Sequence, residues 1–205
     1  MTVRPRSPRG SGDQLADEII AATTELLIGL GSADAVSIRA VAQRVGVTPP
    51  SIYRHFDDKE ELLDAVCAHY FERFAEVMDI ASEGIDDLWD SILAQGLAYI
   101  RFAIDNDVVY RTAFSRITEP GKPSKTDEVM LSSAFVKFHG TVVEMMAQGV
   151  LPQSDPIETV LKLWSVAHGF ASVMISKPGL PWGDDLVLAE QTLRAVAEGM
   201  GRSRA

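Results

Sequence analysis

Residues Ser37–Lys59, SIRAVAQRVGVTPPSIYRHFDDK, decide how the rest of this 205-residue chain is read. Ile38, Val41, Ala42 and Val45 recur at i, i+3, i+4 and i+7, which puts them on one face of a helix. Ser37 stands just before that face, where a hydroxyl accepts one of the orphan N–H groups as N-cap. Gly46 follows it, at the position where a left-handed residue commonly ends a helix. Two residues on, Thr48 offers a second N-cap, and Pro49 takes the first helical position, where a missing N–H costs nothing. Val47, Ile52 and Phe56 then turn back toward the first helix, while Pro50, Ser51, Tyr53, Arg54 and His55 face outward. Two short helices joined by so tight a turn form a helix-turn-helix, whose second helix suits the major groove of DNA.

The longer stretch SIRAVAQRVGVTPPSIYRHFDDKEELLDAV resembles the DNA-binding signature of the TetR/AcrR family of bacterial transcriptional regulators. The match runs from about residue 13 to 65 and rests on Val41-Ala42, Gly46-Val47, Tyr53, His55 and Phe56, and Lys59-Glu60-Glu61-Leu62 in fixed register. By matching positions the resemblance implies Ser37, Tyr53, His55 and Lys59 as phosphate contacts. It implies Arg39, Thr48, Pro49, Pro50, Ser51 and Arg54 as base readers. The side chains suit those tasks: an arginine forks onto guanine, and two consecutive prolines offer rigid apolar surface to a thymine methyl. Lys59 adds charge beside first-turn N–H groups that themselves favour anions.

Composition places the chain among folded soluble proteins, with 46% hydrophobic and 23% charged residues. The net charge of −10 argues at first against a nucleic-acid partner. Residues 1–60, however, hold seven Lys/Arg against eight Asp/Glu, and residues 61–205 hold twelve against twenty-one. The acidity therefore belongs mostly to the part that need not touch DNA. A single cysteine, Cys67, excludes an intrachain disulfide and fits a reducing cytoplasm. No apolar run follows Arg4, Arg6 and Arg9, and none elsewhere reaches the length of a membrane span, so a cytoplasmic location is expected.

In chain order, residues 1–12 read as a flexible basic arm that either follows the DNA backbone or is a solvated tail. Residues 13–60 form the expected DNA-binding domain. Its first helix runs from Asp13 to Gly31, with Leu15, Ile19, Ala22 and Leu26 in period. Asp57 or Asp58, with Glu60 or Glu61 three residues on, caps a long helix to about Ala81 that links this domain to residues 61–205. Further helices are expected over Ile85–Ile104, over Val108–Ile117, and over Asp127–Gln148 after a Thr118–Thr126 loop. Asp155-Pro156-Ile157-Glu158 starts another, reaching Ile175, and the last covers Asp184–Met200 after a Lys177–Gly183 loop. The fold class is all-α, with about nine helices: a three-helix N-terminal domain and a helical ligand-binding and dimerisation domain.

Leu163 to Phe170, LWSVAHGF, resembles the Trp…His-Gly signature of one C-terminal class of the family, the WHG class. The family resemblance further implies a homodimer through the last two helices, residues 156–175 and 184–200. It also implies a pocket between the middle helices for an unidentified small apolar or aromatic ligand. The candidates for its wall are Tyr70, Phe74, Trp89, Phe102, Tyr110, Phe114, Met145, Met146, Trp164 and His168, aromatic or sulfur-bearing for the most part. Each also has an ordinary reading as plain core. No enzyme, metal or cofactor is expected: none of His55, His69, His139 and His168 has an i+4 histidine partner, and no Gly-rich phosphate loop or Gly-x-Ser-x-Gly turn occurs. A repressor released by its ligand from a palindromic operator is the expected function. A DNA-binding dimer without a small ligand, its second domain used only for dimerisation or protein contacts, is the alternative; an empty or collapsed interior favours it, whereas an elongated apolar cavity favours the ligand-responsive reading.

Overall fold

The computed structural model describes residues 12–115, 121–183 and 186–202. Its elements are α1 (Gly12–Leu30), α2 (Ile38–Val45), α3 (Pro49–Ile52), α4 (Lys59–Ser82), α5 (Leu88–Asp105), α6 (Asp107–Ser115), α7 (Lys125–Ser132), α8 (Ala134–Ala147), α9 (Pro156–Ser176) and α10 (Val187–Arg202). The fold is all-α. The arginines of the basic arm, Ile117, the first part of the Thr118–Thr126 loop and Asp184 lie outside the described residues.

The first four helices begin and end where local chemistry demands. Ser37 is extended, and its hydroxyl accepts from the Ala40 N–H at 3.2 Å, capping α2. Gly46 ends that helix at φ +79°, a conformation glycine adopts without a Cβ penalty, and its N–H bonds the Ala42 carbonyl. Thr48 is also extended, but its hydroxyl does not cap α3; it pairs with the Ser51 hydroxyl at 3.2 Å instead. The helix α3 is a single turn, after which Tyr53–His55 continue as turns held by Ile52, whose carbonyl accepts from His55 and Phe56. At α4 the capping register is settled: Asp58 accepts from the Glu61 N–H at 2.7 Å, and the Glu61 carboxylate reaches back to the Asp57 N–H.

The main departures from the sequence expectation fall in residues 124–148; elsewhere ends move by a few residues, as at α5, which starts at Leu88 rather than Ile85. The segment expected as one helix, Asp127–Gln148, is two, because Ser133 leaves helical geometry at φ −122°, ψ −95°. Ser132 and Ser133 are adjacent there, and serine hydroxyls compete with the helical backbone ladder. The helix α7 also starts earlier than Asp127. Ser124 and Asp127 form a reciprocal capping box, with the Asp127 carboxylate accepting from Ser124 N–H and the Ser124 hydroxyl accepting from Asp127 N–H. The α9 start is as the sequence reads, with Asp155 accepting from the Ile157 N–H at 2.9 Å and Pro156 at the first helical position.

By compactness the chain divides into two units: residues up to Tyr70 with Val108–Val129, and Phe71–Asp107 with the chain from Met130 onward. A cut at residue 60 therefore separates segments that pack together. In the first unit α1 packs on α2 and α2 on α3, over a core that includes Ile19, Leu27, Val41, Ile52 and Leu62. The second is built on α5, which packs against α8, α9 and α10. Its core joins Ile92, Val142, Met145, Met146, Leu151, Val160, Leu163 and Ala197. The helix α4 is continuous through both units.

Asp64 accounts for the return of residues 108–129 to the first unit. Its buried carboxylate accepts from the Lys125 N–H at 2.8 Å, the Thr126 N–H at 3.3 Å and the Thr126 hydroxyl at 2.6 Å. It thus satisfies the first N–H groups of α7, a cap supplied from another helix. Asp64→Ala leaves those donors buried without a partner and is expected to destabilise the protein by about 2–3 kcal/mol. Asp64→Asn, which keeps one acceptor oxygen, is expected to lose less. Urea unfolding midpoints compare the two; equal losses would show that the carboxylate is not what holds α7.

Candidate nucleic-acid interface and ligand cavity

Every residue expected at the DNA is exposed or half-buried. Ser37, Arg39, Thr48, Pro49, Pro50, Tyr53 and Arg54 are exposed; Ser51, His55 and Lys59 are half-buried. They share the first unit, around α2, α3 and the start of α4. The Ser37 hydroxyl accepts its capping bond as an oxygen, so its own proton is left to donate. Thr48, Ser51 and Arg54 form a polar chain, with the Arg54 guanidinium donating to the Ser51 hydroxyl at 3.3 Å.

Two arginines of α2 differ in what they can do. Arg44 is ion-paired with Glu25 at 2.5 Å, whereas Arg39 pairs with no described residue and keeps its fork of donors for an external partner. The Lys59 ammonium donates to the Ala33 carbonyl at 3.2 Å, tying α4 to the α1–α2 connection and leaving two of its three donors. The helix end beside it offers less to an anion than its bare N-terminus would, because Asp58 and Glu61 already supply carboxylates there.

The second unit contains an apolar cavity of about 140 Å³. The later turns of α4 give Phe71, Phe74 and Met78; α5 gives Gln95, Gly96 and Tyr99; α9 gives Leu161, Trp164 and Ala167. Residues Met130, Leu131, Ala134, Phe135 and Phe138 of α7 and α8 close it. The aromatics are interlocked: Phe74 meets Tyr99 edge-on at 5.3 Å and Phe102 at 5.1 Å, and Trp164 lies 5.0 Å from the His168 ring. The Tyr99 hydroxyl and His168 Nδ1 are 2.8 Å apart. Burial holds His168 below the ordinary imidazole value of about 6.5, so the ring is neutral at pH 7.

Of the ten residues expected at this wall, Phe74 and Trp164 line it, and Phe102 and His168 stand directly behind lining side chains. Met145 and Met146 are core instead, packed with Val142 and Leu151. Trp89 packs against that core and lines a separate groove of about 390 Å³ with Asp90, Leu193 and Arg194. Tyr70, Tyr110 and Phe114 belong to the first unit, where Tyr110 and Phe114 pack ring to ring at 4.8 Å. Gln95, Gly96, Tyr99 and Ala167 are lining residues the sequence reading missed. Gly96, Phe138 and Ala167 border both the cavity and the groove. A Cβ at Gly96 would stand 3.0 Å from Leu193 Cδ1, so α5 and α10 approach closely there and a larger residue would require the Leu193 side chain to give.

Comparison with known proteins agrees with both halves. Residues 19–66 match the family described as bacterial regulatory proteins, tetR family, and residues 92–197 match the tetracyclin repressor-like C-terminal domain, together more than half of the chain. The HTH-type transcriptional regulator Rv0681 of Mycobacterium tuberculosis is 26% identical over 82% of this chain and 74% of its own length. A solved protein of unknown function from Rhodococcus sp. RHA1 superposes with a TM-score of 0.75 at 22% identity, covering 97% of this chain and 98% of its own. RolR, solved in complex with resorcinol, superposes with a TM-score of 0.71 at 17% identity over 97% of each chain. Among the described residues no helix is long and apolar enough to cross a membrane.

The lowered His168 pKa sets a pH dependence of stability. As pH falls, the unfolded chain takes up this proton before the folded one does. The contribution is therefore complete above about pH 6.5 and is lost as pH falls through that value toward the folded pKa. The melting temperature is expected to drop between pH 7.5 and 5.5, and to drop less in His168→Asn, whose amide keeps a hydrogen-bonding group for Tyr99. Identical slopes in the two proteins would place the titration elsewhere.

Proposed function

The chain belongs to the tetR family of bacterial regulatory proteins, and on that premise we propose that this DNA-binding transcriptional regulator is a homodimeric repressor, released from a palindromic operator by a small apolar or aromatic ligand. Residues 13–60 read DNA, with the basic arm 1–12 ahead of them, and residues 61–205 bind the ligand and dimerise. A regulator of bacterial DNA works in the cytoplasm, and a buried Cys67 outside any disulfide suits that compartment. One observation carries the reading. The helix α4 bears Lys59 at its first residue and places Phe71, Phe74 and Met78 in the cavity wall about three to five turns later.

Recognition divides by chemistry. Arg39, with its donors unengaged, reads a base edge, together with Thr48, Pro49, Pro50, Ser51 and Arg54. Ser37, Tyr53, His55 and Lys59 hold phosphates. A single-turn recognition helix reads few bases, so two copies are needed. Their half-sites lie about one helical turn, ~34 Å, apart on one DNA face.

Dimerisation is supported by what α9 and α10 leave exposed. Ile157, Leu161, Val187 and Leu188 are each more than 40% exposed, and Ser165, Ser172, Ala195 and Gly199 add small residues that permit close approach. A four-helix contact of α9 and α10 with their copies removes this surface from water.

The ligand acts through α4. A molecule against Phe74 and Trp164 biases the position of that helix, and a dimer whose recognition helices are misplaced by a few ångströms no longer fits both grooves. The interior is open, which favours this reading over a dimer without a ligand. A volume near 140 Å³ is that of a single-ring cavity, in keeping with a structural relative that holds resorcinol. Coupling of this kind is typically about 1–3 kcal/mol and reciprocal, so operator DNA weakens ligand binding by the same factor.

Selection of bound sequences from a random duplex pool, followed by footprinting, tests the DNA half. A palindrome bound by a dimer is expected, and a lone half-site bound by monomer would overturn it. On the selected site Arg39→Ala is expected to cost about 1–3 kcal/mol and relax one base pair. Lys59→Ala is expected to weaken all sequences alike and reduce the salt slope by about one. Leu188→Asp is expected to shift the protein to monomer in sedimentation, with loss of full-site binding.

A further inference from the structure

We propose that the cavity selects a neutral, single-ring molecule carrying a hydrogen-bond donor, and that Oε1 of Gln95 is the acceptor that reads it. This rests on the reading of the cavity as a ligand site and adds the chemistry of what enters. Gln95 is 0% exposed in the middle of α5 and lines the cavity. Its Nε2 donates to the Thr141 hydroxyl at 3.0 Å and lies 3.5 Å from the Ser91 hydroxyl. The Thr141 proton goes to the Lys137 carbonyl at 3.4 Å, so the Thr141 oxygen is left as an acceptor. That fixes which way the amide faces: nitrogen toward Thr141, oxygen away from it. Oε1 has no hydrogen-bond partner among the described residues. Buried polar atoms in native interiors rarely stay so, and an exception asks for a reason.

The wall defines the missing partner. The other side-chain oxygen there, that of Tyr99, already has a hydrogen-bond partner in His168 Nδ1, 2.8 Å away, whereas Oε1 of Gln95 has none among the described residues. A carbonyl oxygen only accepts, so the complementary group is a hydroxyl or an N–H. No lysine, arginine, aspartate or glutamate lines the cavity, so an ionised ligand would be buried without a counter-charge. A carboxylate would also set its lone pairs against those of Oε1. Water has few partners there, because an ordered water needs two to four, and beyond Gln95 the polar side-chain groups of the wall are the Tyr99 hydroxyl, bonded to His168, and the Trp164 indole.

The experiment uses the full chain and calorimetric titration with phenol, toluene and anisole, in wild type and in Gln95→Met. Wild type is expected to bind phenol, and Gln95→Met to bind it about tenfold more weakly while holding toluene as well as before or better. On the unmodified protein anisole, which keeps the ring and oxygen but lacks the donor, is expected to bind at least tenfold more weakly than phenol. This arm needs no substitution. The ligand-free Gln95→Met protein is expected to melt higher than wild type, since the unmet acceptor is gone. If phenol and toluene bind both proteins with an unchanged ratio, Gln95 does not read a donor and the inference fails, while the cavity remains a ligand site. If folded wild type binds none of the three at millimolar concentration, the ligand-site reading fails and takes the inference with it.

Discussion

Seven consecutive residues of α4, Leu62 to Ala68, are all buried, and a run of that length goes round the whole circumference of a helix. No amphipathic face explains such burial; the helix has to be enclosed by segments distant in sequence. The single charge in the run, Asp64, then becomes a constraint. Buried without partners it would be untenable, so the enclosing segment must bring donors, and Lys125 and Thr126 do. That requirement draws residues 108–129 back to the first unit and puts the start of α7 against a carboxylate. The continuity of α4 then places its later turns, Phe71, Phe74 and Met78, in the second unit.

Much of this was readable before any coordinates, and the readable part is local. Ser37, Gly46, Asp155 and Pro156 act through neighbours within four residues, so their sequence context is their structural context. The pattern Ser124-x-x-Asp127 is equally local, although its serine falls in the segment expected as a loop. Thr48 shows the limit of such reasoning: backbone geometry came out as a cap requires, yet the hydroxyl found Ser51. The cavity was only half legible. Phe74 and Trp164 stand out as large aromatics at helical spacing. Whether a Met on α8 faces a void or a packed neighbour depends on the rotation of one helix against another, which periodicity does not encode. Gln95 was invisible, since a glutamine within a helix reads as a surface residue. Tyr70, Tyr110 and Phe114 were drawn into the wrong group because aromatic character alone does not say which unit a side chain joins.

The side chains of α2, α3 and the start of α4 that are expected at DNA form a surface in which several polar groups are already engaged. Ser37 caps, Ser51 bonds Arg54, and Lys59 holds Ala33. Such anchoring lowers the entropy that DNA contact would otherwise cost, since the side chains are already placed. Arg39 has no such anchor, and a long side chain that is unengaged until it meets its partner is suited to discrimination.

The partition between cavity and groove is thin. Gly96, Phe138 and Ala167 border both spaces, and two of the three have side chains no larger than a methyl group. Enlarging Gly96 would press on the Leu193 side chain, which makes Phe138 and Ala167 the readier members to adjust. Shortening Phe138 would merge the two spaces without touching Gln95. On the proposed reading, the length of the molecule accommodated and the functional group recognised are governed by different residues. A lineage carrying this fold could then accept a larger molecule by one substitution in the partition, with Gln95 left intact.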